Sequence, residues 1–445
     1  MAYNVRDFGA VGDGKALDTV ALQRAVDAVA EDGGGEVVVP MGVYRSGTVR
    51  LTDNLTLTLE TGATLLASES IANYPADPAI HTGWLRHYLL EGRGIKNFIL
   101  RGQGRIDGSG RAFWENVGHS SGIPVGEGRS PIDYEVLKAK PDRPVMLYLF
   151  DSQDIAIEGV TIVNAAAFTV WLLGCCRVRI HGMTVRNSRI GPNTDVLDID
   201  SSRQVRVSDC DFEAGDDCIA IKSDAHRLGR LQACEDIVVT NCVLSSVACG
   251  IRIGYEGDAP IRDCVFSNLT IRDTRHGINM ISITPETDMV KVDRGTPIER
   301  IRFSGITMRN VAQAFFIWAG NESPRTDYQG YIRNINFSGI FADGMATGFI
   351  GSKDDTAIEN IEMSNVALHV RETSDLPPDS DLWQVPCHWG GGFKSGGLRL
   401  LRVRQVNMER CRFSVENSAY PALSWRESEG LVIDGEPQAS DGEIA

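Results

Sequence analysis

The chain has 445 residues, 42% of them hydrophobic and 23% charged, with 46 glycines, the profile of a folded chain with apolar residues enough for an extended core. A net charge of −15 opposes non-specific binding to nucleic acid, no basic stripe offers phosphate contacts, and no apolar run approaches the roughly 20 residues that span a bilayer. Nucleic acid and membrane are therefore excluded as partners, and composition leaves the oligomeric state open. The chain opens MAYNVRDFGAVGDG, without a basic n-region or an apolar h-region, so the chain as written is expected to be cytoplasmic, or secreted if a signal was trimmed. Its ten cysteines fit reduced, buried thiols better than five disulfides in that compartment.

In chain order, the first element is a helix over residues 18–30 (DTVALQRAVDAVA), where Asp18 stands at the cap. Val20, Ala21, Ala25, Val26 and Val29 make its apolar stripe, and Gly33, Gly34 and Gly35 stop it. A helix there would cover the strand edges that otherwise lie open at the end of a solenoid. From about residue 98 one pattern returns, two hydrophobics one residue apart, then Gly, Asn or Asp, then another apolar residue. Copies start at Ile155, Val178, Val205, Ile237, Cys264, Ile301, Ile335 and Ile361, at steps of 23 to 37 residues. Alternation with period 2 argues strands, the intervening Gly, Asn or Asp argues tight turns, and a coil of at least 23 residues argues a solenoid. The copies are rich in Val, Ile and Thr and too short for helical repeats. The pattern predicts an all-β fold, one parallel β-helix domain with an N-terminal capping helix. The cap and first coils fall in 1–97, the main coils in 98–370, and further coils and loops in 371–445.

Coils stacked about 4.8 Å apart turn equal offsets into rows. Asp217, Cys249 and His276 each lie 12 residues after the start of their copy, at Val205, Ile237 and Cys264. Asp195 lies 17 residues after Val178; with a bulge assigned to 190–193 it joins the row beside Asp217. The segments NTDVLDID (193–200) and GDDCIAIKS (215–223) thus bring Asp195, Asp216 and Asp217 within one or two coils. Like charges so close leave a protonated acid beside ionised bases, the equipment for hydrolysing an acetal. Spacing alone also admits plain turn residues, or a Ca²⁺ site made of the same carboxylates.

NTD followed by GDDCIAIKS in a stacked-strand repeat resembles glycoside hydrolase family 28, the polygalacturonases and their rhamnogalacturonan-cleaving relatives. FGAVGDG, LQRAVDA, GGGEVVVPMGVYRSGTVRL, LETGATLLAS and GQGRIDGSGRAFW extend the resemblance over roughly residues 3–370. It implies a right-handed parallel β-helix and hydrolysis with inversion, with Asp216 as general acid and Asp195 and Asp217 activating water. No metal or cofactor is called for, and an oligosaccharide or polysaccharide is the implied partner. Asn193 of the NTD segment and Lys222, which matches the lysine after the family's paired Asp, are substrate-binding candidates.

The chain departs from the family at two places. Where Gly-His-Gly is usual it reads Ala248, Cys249 and Gly250, and where Arg-Ile-Lys is usual it places Asn279 and Ile281 at the two basic positions. Ile278 and Met280 should face the core, leaving Asn279 and Ile281 outward and exposed, a surface suited to a neutral sugar better than to a uronate. His276 and Arg252 are candidate replacements for the lost imidazole and cations, and solvated surface residues are the alternative for both. Trp318, Trp383, His388 and Trp389 are candidates for stacking on sugar rings or for plain cover. Asp354 and Asp355 read as a turn, and Cys249 as a buried thiol rather than a nucleophile. The expected function is an exo-acting, inverting glycosidase for pectin-derived, rhamnogalacturonan-type oligosaccharides rather than plain polygalacturonate. The alternatives are a β-helix enzyme for a neutral glycan such as a fructan or arabinan, and a non-catalytic glycan-binding β-helix.

Overall fold

In the computed structural model, which describes residues 1–78, 85–121, 133–284, 291–321, 327–353, 357–371 and 396–445, the sequence copies align as partners in parallel sheets. The chain divides into two compact units, Met1–His119 with Glu135–Cys218, and Ser120–Tyr134 with Ile219–Ala445. Trp383, His388, Trp389, Asp354 and Asp355 lie outside the described residues.

In the first unit a coil consists of three short strands. Pro144–Phe150, Gln153–Glu158 and Thr161–Val163 are followed by Val170–Leu173, Cys176–His181 and Thr184–Arg186, then by Leu197–Asp200, Arg203–Ser208 and Asp211–Ala214. Ile155 pairs with Val178, and Val178 with Val205, so the copies superpose coil on coil. The second unit continues the rule with Ile237, Cys264, Ile301, Ile335 and Ile361 in successive register. Val406 pairs with Ile361 as one further copy, which the sequence pattern had not supplied. Both units are parallel β-helical stacks, as the alternation predicted.

The bends between strands sit at fixed places in each copy. The residue before the first hydrophobic has positive φ at Asp154, Arg177 and Gln204, and in the second unit at Asp236, Asp263, Arg300, Asn334 and Asn360. The Gly, Asn or Asp of the pattern does the same at Gly159, Gly182 and Asp209, and at Asn241, Asn268, Gly305, Gly339 and Asn365. Glycine reaches this region without strain and Asn and Asp reach it more easily than other residues, which explains the composition of the turns. Between bends, alternate side chains enter the core. Phe266, Phe303 and Phe337 stack there with ring centroids 5.1 Å apart, each buried ring contributing roughly 1.5–3 kcal/mol. None of the nine described cysteines is in a disulfide, and eight are buried.

The capping helix runs over Thr19–Glu31 and buries Ala21, Leu22, Ala25, Val26 and Val29. Val20, expected in that stripe, is 62% exposed; Leu22 takes its place, being one turn from Ala25 and Val26 on the same face. Asp18 occupies the N-cap position without capping through its side chain. Its carboxylate instead accepts the N–H groups of Val11 (2.7 Å) and Gly12 (3.1 Å), tying the preceding loop to the helix start.

Candidate active site

The three aspartates meet at the end of the first unit. The N–H of Val196 donates to the carbonyl of Asp217 (2.9 Å) and that of Leu197 to Cys218 (3.1 Å), which sets Asp195 level with Asp217 on adjacent coils. The residues before each acid are fixed to one another. Thr194, fully buried, donates from its hydroxyl to Gly191 O (3.0 Å) and accepts the N–H of Gly215 (3.1 Å). Asn187 donates to Thr169 Oγ1 (2.8 Å) and Thr194 O (3.1 Å) and accepts the N–H of Ala165 (3.0 Å). Gly215 has no room for a side chain, because an added Cβ would come 2.4 Å from Ser188 O and 2.5 Å from Gly191 O. Packing thus positions the acids before any ligand arrives.

Oxygens of Asp195, Asp216 and Asp217 all lie within 4.8 Å of one another. Asp195 and Asp217 are buried and Asp216 is half-buried, so the group is more enclosed than the open outer face expected from the offset count. Carboxylates so close repel one another when ionised, and a buried cation interacts with them. Arg143, 2% exposed, donates to Ala166 O (3.1 Å), to Pro192 O, and to Asn193 Oδ1 (2.7 Å). Asn193, held at a φ of 53°, turns its amide nitrogen toward Asp216 Oδ2 (3.4 Å). Burial pushes the Arg143 guanidinium down to about 10, against the opposing pull of Asp195 and Asp216. Sequence reasoning missed Arg143. Its only signal was a basic residue directly before the apolar run PVMLYLF, with Lys138 and Lys140 close by.

The remaining candidates belong to the second unit. Cys249, His276 and Gln313 pair in successive register, as do Arg252, Asn279 and Phe316. His276 is 3% exposed and its ring centroid lies 5.8 Å from that of Phe316, so it is not a surface turn residue. Cys249 is fully buried. The expectation of an exposed Asn279 and Ile281 is corrected: neither has exposed surface. Ile281 packs in an apolar cluster with Tyr255, Ile283, Phe316, Trp318, Phe349 and Leu401, and Trp318 is fully buried there rather than presented as a sugar platform. Alternation set the direction of these side chains correctly, while packing covers the face they point to. Neither amide atom of Asn279 has a hydrogen-bond partner among the described residues.

Lys222, almost fully buried, is paired with Glu256 at 3.0 Å. Burial pushes the Glu256 carboxyl up, but Lys222, Arg227 and Arg252 together outweigh it and hold the group below the usual carboxylate range. The Arg252 guanidinium lies 5.7 Å from the centre of the Tyr255 ring. Glu256 stands near the end of the strand Cys249–Gly257 and was not among the sequence candidates. A second cluster that would suit a cation, His226, Asp258 and Asp293, is partly exposed; Asp258 there already accepts the backbone N–H groups of Asp293, Arg294 and Gly295.

Comparison with known proteins bears on the family and the fold. The family described as glycosyl hydrolases family 28 matches residues 34–375. A protein described as "Probable polygalacturonase" from Vitis vinifera is 28% identical over 395 residues, covering 84% of this chain and 75% of its own. Among solved structures, the family 28 exopolygalacturonase of Yersinia enterocolitica aligns with a TM-score of 0.74 at 20% identity, over 98% of this chain and 79% of the other. A hyperthermoactive exopolygalacturonase from Thermotoga maritima aligns with a TM-score of 0.62 at 18% identity, over 100% and 95%. At those identities the solved structures speak for the fold alone.

Proposed function

The chain belongs to glycosyl hydrolases family 28 and is a glycosidase, and from that premise we propose that Asp195, Asp216 and Asp217 hydrolyse pectin-derived oligosaccharides of the rhamnogalacturonan type, from a chain end and with inversion. The observation that carries this reading is the convergence of the three carboxylates within 4.8 Å. Asp216 is the least buried of the three, which suits a general acid that meets the leaving oxygen, and the Asn193 amide holds it in place. Asp195 and Asp217, level on adjacent coils, suit the pair that orients and deprotonates water. Inversion rests on the family resemblance. The water held by Asp195 and Asp217 attacks the anomeric carbon on the face opposite the leaving oxygen that Asp216 protonates.

Substrate class follows from the second unit. Asn279 and Ile281 bring no cation, and a buried amide without partners costs roughly 1–3 kcal/mol per unsatisfied group. An amide and an alkyl side chain at those two positions offer a substrate carboxylate no counter-charge. The same observation favours the second reading, a neutral glycan such as a fructan or arabinan. An oligosaccharide panel with products followed by ¹H NMR tests both. Release of the β-to-α or α-to-β inverted anomer from a rhamnogalacturonan fragment, abolished by Asp216→Asn, is the expected result. Cleavage of fructan or arabinan alone would move the substrate to the second reading, and a retained anomer would overturn the mechanism.

A further inference from the structure

The charges of the second unit carry an inference about selectivity that rests on the reading just given. Lys222 lies five residues after Asp217 in the chain, on the strand Ile219–Ser223, and a buried lysine beside a glycosidase motif is expected to hold a substrate anion. Its ammonium is already answered, at 3.0 Å, by Glu256. Glu256 reaches it from the strand Cys249–Gly257, where Tyr255 adopts a φ of 71° and the pairing with Ile219–Ser223 shifts register between Ile221 and Ser223. That bulge adds residues on one side of the ladder and re-aims the side chains that follow. The Glu256 side chain keeps 27% exposure, so its carboxylate borders solvent while the lysine beneath it does not.

We propose that Glu256 is a specificity-determining residue: its carboxylate occupies the place of a substrate carboxylate on Lys222 and Arg252, so that the protein selects sugars without a charge at that position. Two features agree. The three cations that face Glu256, Lys222, Arg227 and Arg252, keep it ionised in spite of burial. The two positions at which the family resemblance would add cations carry Asn279 and Ile281 instead, so no further cation there competes for a uronate. A uronate would have to displace Glu256 or share its cations, and like charges in one site disfavour both outcomes.

The test measures binding, so that hydrolysis does not enter it. In an Asp216→Asn background, affinity is measured by calorimetry for trigalacturonate and for its carboxyl-reduced, neutral counterpart, with Glu256 intact, with Glu256→Gln, and with Glu256→Gln combined with Lys222→Met. With Glu256 intact the neutral trisaccharide is expected to bind at least as well as the acid. Glu256→Gln should shift the ratio toward trigalacturonate by roughly tenfold or more, the factor commanded by one charge-assisted hydrogen bond, and the double variant should lose that gain. An unchanged ratio in Glu256→Gln, or no binding of trigalacturonate by it, overturns the proposal. If the variant does not fold, the Glu256 protein decides alone, because a clear preference there for trigalacturonate is incompatible with the role. Failure of the glycosidase reading would appear separately, as absence of any cleaved glycan in the product screen.

Discussion

Replacing Arg143 with Met removes a cation that interacts with Asp195 and Asp216 while keeping an unbranched side chain of similar reach. The consequences for stability nearly cancel. Burial pushes the guanidinium down from an arginine's ordinary value to about 10, so the native state disfavours its charged form by roughly 3 kcal/mol. At neutral pH the native and unfolded chains both hold the proton and that cost is constant; only above pH 10, where the native state releases it first, would stability rise with pH. Against it stand the hydrogen bonds to Ala166 O, Pro192 O and Asn193 Oδ1, each worth roughly 1–2 kcal/mol net. Ala166 O keeps a partner in the variant, because Trp114 Nε1 also donates to it at 3.0 Å. Activity has no such offset. Asn193 loses the bond that aims its amide at Asp216, and Asp195 of the water-activating pair loses the positive charge that favours its ionised form. The variant should melt within a few degrees of the parent, yet lose about 10²-fold in kcat, the scale of a misplaced catalytic group. The acidic limb of its kcat/KM profile should move to higher pH, because carboxylates without a neighbouring cation ionise later. Arg143→Lys should restore most of the pH limb and little of the rate, since an ammonium supplies charge without the planar fork. Initial rates from pH 3 to 8, with a thermal melt of each variant, decide the matter. A variant that melts far lower while its folded fraction keeps the parental rate and pH profile would show Arg143 to be only a structural tie.

Gly215→Ala should destabilise the protein by several kcal/mol in urea titration, because the carbonyls of Ser188 and Gly191 block the new Cβ and overpacking of this kind costs 1–3 kcal/mol or more; a midpoint equal to the parent's would show the turn to be slack. Trp318→Ala should cost about 3–5 kcal/mol of stability, as a buried aromatic does, with any change in KM following the loss of fold; a stable variant with a raised KM would return Trp318 to the role of sugar platform. Glu256 is held below its ordinary value, so its stabilising contribution is complete above the normal carboxylate range and lost as pH falls through the lowered native value. Glu256→Gln should accordingly flatten the decline of stability below about pH 5, and an unchanged acid limb in a thermal series would contradict that.

The repeat, its register and the paired acids were legible because a β-helix writes its geometry into sequence at short range. One hydrophobic step of two residues and one left-handed bend recur in every coil, so Ile155, Val178 and Val205 could be aligned by eye and were found paired. Offsets within a coil carried the same information, and Cys249 and His276 are register partners as counted. What sequence could not give was contact between elements whose spacing is not periodic. Arg143 reaches Asn193 across 50 residues, and no repeat offset predicts such a meeting. Glu256 was hidden for a related reason: a bulge inserts residues out of phase, and the count that serves for a regular coil fails there.

Asn279 and Ile281 show a different boundary. Period-2 alternation assigns a side chain to one face of a strand, and that assignment held, since Ile278 and Met280 lie in the core with their register partners Ile251 and Ile253. Exposure is a separate property, set by what covers the face, and alternation says nothing about it. Ile281 and Trp318 point away from the core and are nevertheless fully buried in a second apolar cluster. An outward row in a solenoid is therefore evidence of access only where polar side chains with unsatisfied groups share it, because apolar cover over such groups would otherwise cost more than it returns. Asn279 carries such unsatisfied groups, yet like Ile281 it has no exposed surface. Ile281 and Trp318 are then the packed wall that covers this row and holds the strand carrying Asn279.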